Sequence, residues 1–167
     1  MSDTNASTLA DRLDLLLRSD PDLAARVLRL LVGEPSSEPV VTSAAAAALV
    51  RPLLAGRENE ALVAVALDIR RRVVDLAVLT LGCDGCTIID PQQIFRWALT
   101  RARPSAFVIL AHNHPSGDPT PSSADRRSSR RVATAGRVLG IPLVDDLVVT
   151  DSGAWASLAE LGLLSPS

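Results

Sequence analysis

The chain's only two histidines, His112 and His114, stand one residue apart in the stretch Ala111-His112-Asn113-His114-Pro115-Ser116-Gly117-Asp118-Pro119-Thr120-Pro121-Ser122-Ser123-Ala124-Asp125. Two imidazoles and one carboxylate are what a protein gives a catalytic zinc ion when it keeps a fourth position open for water. His112, His114 and Asp125 are therefore the candidate ligands, and each has a plainer use to be weighed. A lone histidine is usually a polar group satisfied by its neighbours. Ser122-x-x-Asp125 ahead of a helix is also a capping box, worth having for stability alone, although capping and metal binding need not exclude each other. A His-x-His at a strand end, aimed at a carboxylate across a loop rich in proline and glycine, fits a metal better than mere polar satisfaction.

Convergence of these groups depends on the elements that carry them. Ala106-Phe107-Val108-Ile109-Leu110-Ala111, preceded by Pro104, is a short apolar run suited to a strand buried on both faces. His112 and His114 follow it, and in extended backbone residues i and i+2 point the same way. Pro115, Gly117, Pro119 and Pro121 exclude a helix over 115–121. Beyond them Ala124, Val132, Ala133, Ala135, Val138 and Leu139, set among arginines and serines, predict a helix closing at Gly140 with Pro142 just after it. Asp125 falls in the first turn of that helix, where it can look back at the histidine pair.

His112-x-His114, seven intervening residues, Ser122, two more and Asp125 resembles the JAMM metalloprotease motif, and the string HNHPSGDPTPS is similar to the RadC branch of that superfamily. The resemblance runs from about Val40 to Leu164. It implies a cytidine-deaminase-like α/β fold, a single domain over 40–167 whose mixed sheet packs against helices, preceded by short N-terminal helices and a linker over 1–39. It also implies a glutamate just before the first core strand as general acid/base. That strand is Ala61 to Asp68, and counting back from Leu67-Asp68, where the family has a similar Leu-Asn end, selects Glu60 over the nearby Glu58. Gly82 and Pro91 keep the nine-residue spacing of RadC-like domains. By the same resemblance Ser122 hydrogen-bonds the oxyanion of a tetrahedral intermediate, while zinc held by His112, His114 and Asp125 lowers the pKa of its water to roughly 7. Asn113 and Ser116 receive no role.

The chain departs from the family in two places. Pro91-Gln92-Gln93 stands where relatives have Pro-Arg-Glu, and Asp145-Asp146 where they have Asp-His, so the third family histidine is missing. If that histidine supports the ligands from behind, its loss bears on metal affinity or orientation. Cys83-Asp84-Gly85-Cys86 adds a CxxC, which can be redox-active or half of a structural zinc site. Joined to the two histidines it would make a closed Cys₂His₂ site with no place for water. That arrangement leaves Ser122 and Asp125 unexplained, and the cysteines read as incidental thiols.

The rest of the chain narrows the function classes. A length of 167 residues and a hydrophobic content of 47% suit one domain with a full core. Its net charge of −2 argues against a surface that seeks nucleic acid in general. The aromatics, Phe95, Trp97, Phe107 and Trp155, are too few for a stacking platform. No residue is lysine, so every basic side chain is arginine. Arg70, Arg71 and Arg72 read as a solvated hairpin tip, and Arg126, Arg127, Arg130, Arg131 and Arg137 as an exposed helix face rather than a dock for an acidic partner. The polar start, Met1 to Thr8, has no secretory pattern and no window is apolar enough to span a membrane, so a cytoplasmic protein is expected.

Short helices are predicted over Leu9–Leu17 and Pro21–Val32. Longer RadC-like proteins carry a helix-hairpin-helix DNA-binding region ahead of this domain, but the segment here is too short and lacks the glycine-bearing hairpin. Further expectations are a helix Ala44–Leu54 capped by Ser43 and shortened by Pro52, a strand Val73–Leu81 and a short strand Thr87–Ile89. A helix Gln92–Arg103 opened by Pro91, a strand Ile141–Val149, and a closing turn and short helix over Trp155–Leu164 complete the reading. Two functions remain: a zinc-dependent peptidase or isopeptidase acting on a peptide or protein substrate, and a non-catalytic RadC-type module associated with DNA repair.

Overall fold

Strand β1 (Ala61–Leu67) is buried at every position, because each of its faces meets helices. The computed structural model describes Val27 and residues 38–81, 89–100, 102 and 105–164. Its remaining elements are α1 (Ser43–Leu54), β2 (Val73–Leu81), α2 (Pro91–Thr100), β3 (Phe107–Asn113), α3 (Ser123–Leu139), β4 (Leu143–Val149) and β5 (Trp155–Ser157). They form one five-stranded sheet in the order β2-β1-β3-β4-β5. β1 runs antiparallel to β2 and β3, β3 is parallel to β4, and β5 returns antiparallel to β4. The single α/β domain with a mixed sheet expected from the sequence is thus what the chain forms.

Side-chain alternation divides the core into two layers. Val63, Val65, Leu67, Ile109 and Ala111 face α1, whereas Leu62, Ala64, Ala66, Val108 and Leu110 face α2 and α3. Small residues let α3 approach the sheet closely. A Cβ on Gly136 would lie 2.5 Å from the Ile141 carbonyl oxygen, so the buried side of α3 has no room for a side chain there. The parallel pair β3–β4 requires a crossover, and α3 supplies it.

Several local expectations need correction. Thr42, not Ser43, caps α1: its side chain accepts the Ala45 amide at 3.1 Å, and Ser43 is already helical. Pro52 does not shorten α1, which continues to Leu54; at the last turn its missing N–H removes a single helical bond. β4 begins at Leu143 rather than Ile141, because the Ile141 amide still bonds the Gly136 carbonyl at the end of α3. Trp155–Leu164 forms strand β5 and then turns, not a short helix. Its pairing with β4 is a long-range contact that a local pattern does not carry. Ile89 is buried outside any strand; the rest of the predicted strand Thr87–Ile89 and both cysteines lie outside the described residues, as does Arg103. The N-terminal helices also lie outside them except for Val27, which is helical and packs on the α1 side.

At the β1–β2 tip, the Asp68 carboxylate accepts the Arg70 and Arg72 amides and the Arg72 guanidinium. The Arg72 backbone bond above all holds this carboxyl below its usual range. Arg71 turns with φ 64° and lays its guanidinium 4.2 Å from the centre of the Phe107 ring. Of the three, Arg70 is exposed, whereas Arg71 and Arg72 are partly buried.

Candidate metal centre

The site forms where β3 ends and α3 begins, at the carboxyl edge of the parallel pair. His112 is the sixth residue of β3, paired with Val148 of β4 and Leu62 of β1. His114 follows one residue after the strand, its amide bonded to the Val149 carbonyl at 3.0 Å, which keeps the extended geometry. The two rings therefore point the same way, as the i, i+2 spacing demands. Their Nε2 atoms are 3.3 Å apart.

Asp125 arrives from the other side. Ser122 caps α3, accepting the Asp125 amide on Oγ at 3.1 Å, while Asp125 Oδ2 accepts the Ser122 amide at 2.7 Å. The capping box is present, and it also turns the carboxylate toward the two rings. Asp125 Oδ1 lies 3.6 Å from His112 Nε2, and Oδ2 lies 3.5 Å from His114 Nε2. The two readings of Ser122-x-x-Asp125 are thus one structure. Among the described residues, His112, His114 and Asp125 form a group whose ligand atoms lie within 4.8 Å of one another.

The spacing can be tested against an ion. Tetrahedral zinc with bonds of about 2.0–2.1 Å separates its ligands by about 3.3–3.4 Å. The two Nε2 atoms, 3.3 Å apart, match this, while each Asp125 oxygen lies nearest a different ring, Oδ1 to His112 at 3.6 Å and Oδ2 to His114 at 3.5 Å. With one oxygen as donor the three ligand atoms lie within 4.8 Å of one another, near enough to close on one ion. Two imidazoles and a carboxylate also match zinc by donor type. The residues fit the metal.

Each ring also has an oxygen behind it. His114 Nδ1 is 2.8 Å from the carbonyl oxygen of Asp118. The loop reaches back in this way because the Gly117 amide bonds the His114 carbonyl at 3.1 Å, with Gly117 at φ 82°, a conformation that favours glycine. His112 Nδ1 faces the buried carboxylate of Asp146 at 3.8 Å. Sequence reasoning took Asp146 for a lost histidine and missed Asp118 altogether, since a main-chain acceptor carries no residue signature.

Electrostatics in the site follow from the crowding. Burial alone would lower the pKa of His112, but the carboxylates of Asp125 and Asp146 beside it outweigh burial and raise it to about 10. His114 is raised chiefly by Asp125, against partial burial. Burial would raise Asp125, yet His112, His114 and the Ser122 side chain together hold it well below the carboxylate range. A site this rich in negative charge accepts either protons or a cation.

Glu60 sits one residue before β1 and is half-buried. Leu62 pairs with His112, so continuing the β1–β3 register by two residues sets Glu60 opposite His114 on the histidine face. Among the described residues its carboxylate is outside the ligand group. Asn113, between the histidines, points the other way and holds this segment: its Oδ1 accepts the Ala61 amide at 2.8 Å and its Nδ2 donates to the Asn59 carbonyl at 3.1 Å. Glu60 is bracketed on both sides. Ser122 is exposed, and its hydroxyl proton is not used by the cap, in which Oγ accepts. Ser116 Oγ receives the Asp118 amide at 3.4 Å, a loop contact only.

Residues 40–163 match the RadC-like JAB domain. The chain belongs to that family. It is 40% identical over 114 residues to a UPF0758 protein of Symbiobacterium thermophilum, covering 68% of this chain and 47% of the relative. To a UPF0758 protein of Methanosarcina acetivorans it is 31% identical over 140 residues, 84% of this chain and 59% of that one. A UPF0758 protein of Thermotoga maritima is 43% identical over 99 residues, 59% of this chain and 44% of the relative. The chain therefore spans about half the length of these relatives. Among the described residues no helix is long and apolar enough to cross a membrane.

Proposed function

We propose that this RadC-like JAB domain is a zinc-dependent metallopeptidase or isopeptidase that hydrolyses an amide bond in a peptide or protein substrate. The observation that carries the reading is the convergence of His112, His114 and Asp125 from two elements into one group whose ligand atoms lie within 4.8 Å of one another, the two Nε2 atoms 3.3 Å apart. When bound there, zinc supplies a Lewis acid and hydroxide at neutral pH.

The chain's own residues supply the remainder. His112 and His114 present Nε2 and Asp125 a carboxylate oxygen as ligands. Glu60 takes a proton from the attacking water and returns it to the leaving amine nitrogen, a role typically worth about 10²- to 10⁴-fold in rate. Ser122 turns its unused hydroxyl proton toward the carbonyl oxygen as negative charge develops there. Asn113 keeps Glu60 at the site through the backbone on either side of it.

A non-catalytic module tied to DNA repair would need no such donor set, and the net charge of −2 supplies no general attraction for phosphate. The test is cleavage of a peptide library by zinc-loaded protein with Glu60→Gln as the blank. Activity in the wild type and none in the variant is the expected result. Equal turnover by both would remove the assignment of Glu60, and no cleavage by either would remove the peptidase reading.

A further inference from the structure

Behind His112 lies a carboxylate that the catalytic reading does not use. Asp146 is fully buried in β4, and its Oδ1 faces His112 Nδ1 at 3.8 Å. Neither atom has a hydrogen-bonding partner among the described residues. We propose that Asp146 is a positioning residue for the metal centre: its Oδ1 takes the Nδ1 proton of His112 as a hydrogen-bond acceptor and so turns the Nε2 lone pair toward His114 and Asp125. This rests on the zinc reading above and goes beyond it, since it makes the residue that replaces the family histidine a working part of the site.

Backbone geometry aims Asp146 there. Leu143 faces α2 and α3 whereas Leu147 faces α1, so the alternation of β4 is broken once between them. The break is the register shift opposite Val108 and Ile109, where Ile109 pairs with Asp145. As a result Asp145 turns toward α1, where Ser157 donates to it at 2.8 Å. Asp146 turns instead toward α3. Bulges re-aim side chains beside functional sites in this way.

Proton counting gives Oδ1 its role. Ser129 Oγ meets both Asp146 Oδ2 and, at 2.7 Å, the Asp125 carbonyl, but it has one hydrogen for the two. Ser129 reaches only Oδ2, so Oδ1 is left as an acceptor, and the group that faces it is His112 Nδ1. His114 is held in the same sense, Nδ1 to an oxygen and Nε2 to the site, by the Asp118 carbonyl. Outer partners of this kind fix the tautomer and ring orientation of metal-binding histidines.

The proposal is tested on the full chain by measuring zinc dissociation constants against a chromophoric chelator for wild type, Asp146→Ala, Asp146→Asn and Ser129→Ala, each checked for folding by circular dichroism. Asp146→Ala is expected to weaken zinc roughly 10- to 100-fold. Asp146→Asn, whose amide oxygen still accepts, should recover most of that affinity, and Ser129→Ala should leave it nearly unchanged. Nitrogen NMR gives an independent readout, because only two imidazoles contribute. In the zinc-loaded wild type both rings should be protonated on Nδ1, and in Asp146→Ala only the signals of His112 should move. Unchanged affinity in Asp146→Ala, equal losses in all three variants, or a His112 ring bound through Nδ1 would each overturn the proposal. Should Asp146→Ala not fold, Asp146→Asn and the wild-type spectrum decide. Wild-type protein that binds no zinc would overturn the metal reading itself, an outcome distinct from zinc bound equally well without Asp146.

Discussion

The imidazole of His112 is enclosed between two carboxylates and almost wholly shielded from water, so its proton is held until the pH reaches about 10. This makes a prediction with a definite sign. A histidine with a raised folded pKa stabilises the protein fully below about 6.5, and that contribution disappears as the pH rises toward the folded value. The depressed Asp125 contributes above about 3.8, and its share is lost as the pH falls below the carboxylate range. Metal-free protein should therefore melt highest between about pH 4 and 6.5 and progressively lower from there to pH 10. Zinc must displace these protons, so its affinity should climb with pH by about one to two powers of ten per unit near neutrality. A pH series of melting curves without metal and of chelator competition with it checks both. At this scale the grouping of His112, His114 and Asp125 was legible, since the two histidines are the chain's only ones and Asp125 follows them at a telling spacing. Asp146 was not, because a bulge decides which way it faces. Asn113 also escaped assignment, although its polar side chain fixes Asn59 and Ala61 around Glu60, because those partners are backbone atoms more than fifty positions away.

Helix α3 serves the site twice, through its capped start and its close seating on the sheet. Ser122→Ala should cost about 0.5–2 kcal/mol through the lost cap and also weaken zinc, since Asp125 loses the frame that orients it. Chemical denaturation of the metal-free variant, set beside its zinc affinity, separates the two effects. Gly136→Ala should destabilise by roughly 1–3 kcal/mol, because the added methyl meets the Ile141 carbonyl, even though alanine is the better helix former. Its denaturation midpoint should fall with an unchanged slope; a midpoint at or above wild type would show that α3 can lift away without cost. Elements with strong patterns were legible: β1, β2 and α3 lie within a residue or so of their expected positions, and β3 runs two residues past the apolar run Ala106–Ala111 to take in His112 and Asn113. β5 was not. Three residues are too few to show an alternation, and the strand exists because Leu147, Val148 and Val149 offer an edge to pair with. The cap of α1 differed by one position because Thr42 and Ser43 are both good caps, and the choice between them is tertiary: Ser43 donates instead toward Ser157.

For the whole molecule, the mixed sheet brings His112, His114, Asp125 and Asp146 together, and a zinc ion bound there as proposed should stabilise the fold. Zinc in hundredfold excess over its dissociation constant adds about 2.7 kcal/mol by mass action, so the melting temperature should rise with zinc and not with magnesium, whose preferred donors are oxygens. Binding to DNA at low salt should be absent, and a steep salt dependence of any binding found would instead show phosphate contacts. The resemblance made the fold class legible, because the spacing from His112 to Asp125 describes a strand, a loop and a helix turn at once. The most direct test is the metal content of protein purified without chelators, measured for wild type, His112→Ala and Glu60→Gln. About one zinc per chain is expected in wild type and in Glu60→Gln, and none in His112→Ala. A wild type free of zinc that does not take it up on addition, or a His112→Ala variant that retains it, would contradict the zinc centre on which the proposed chemistry rests.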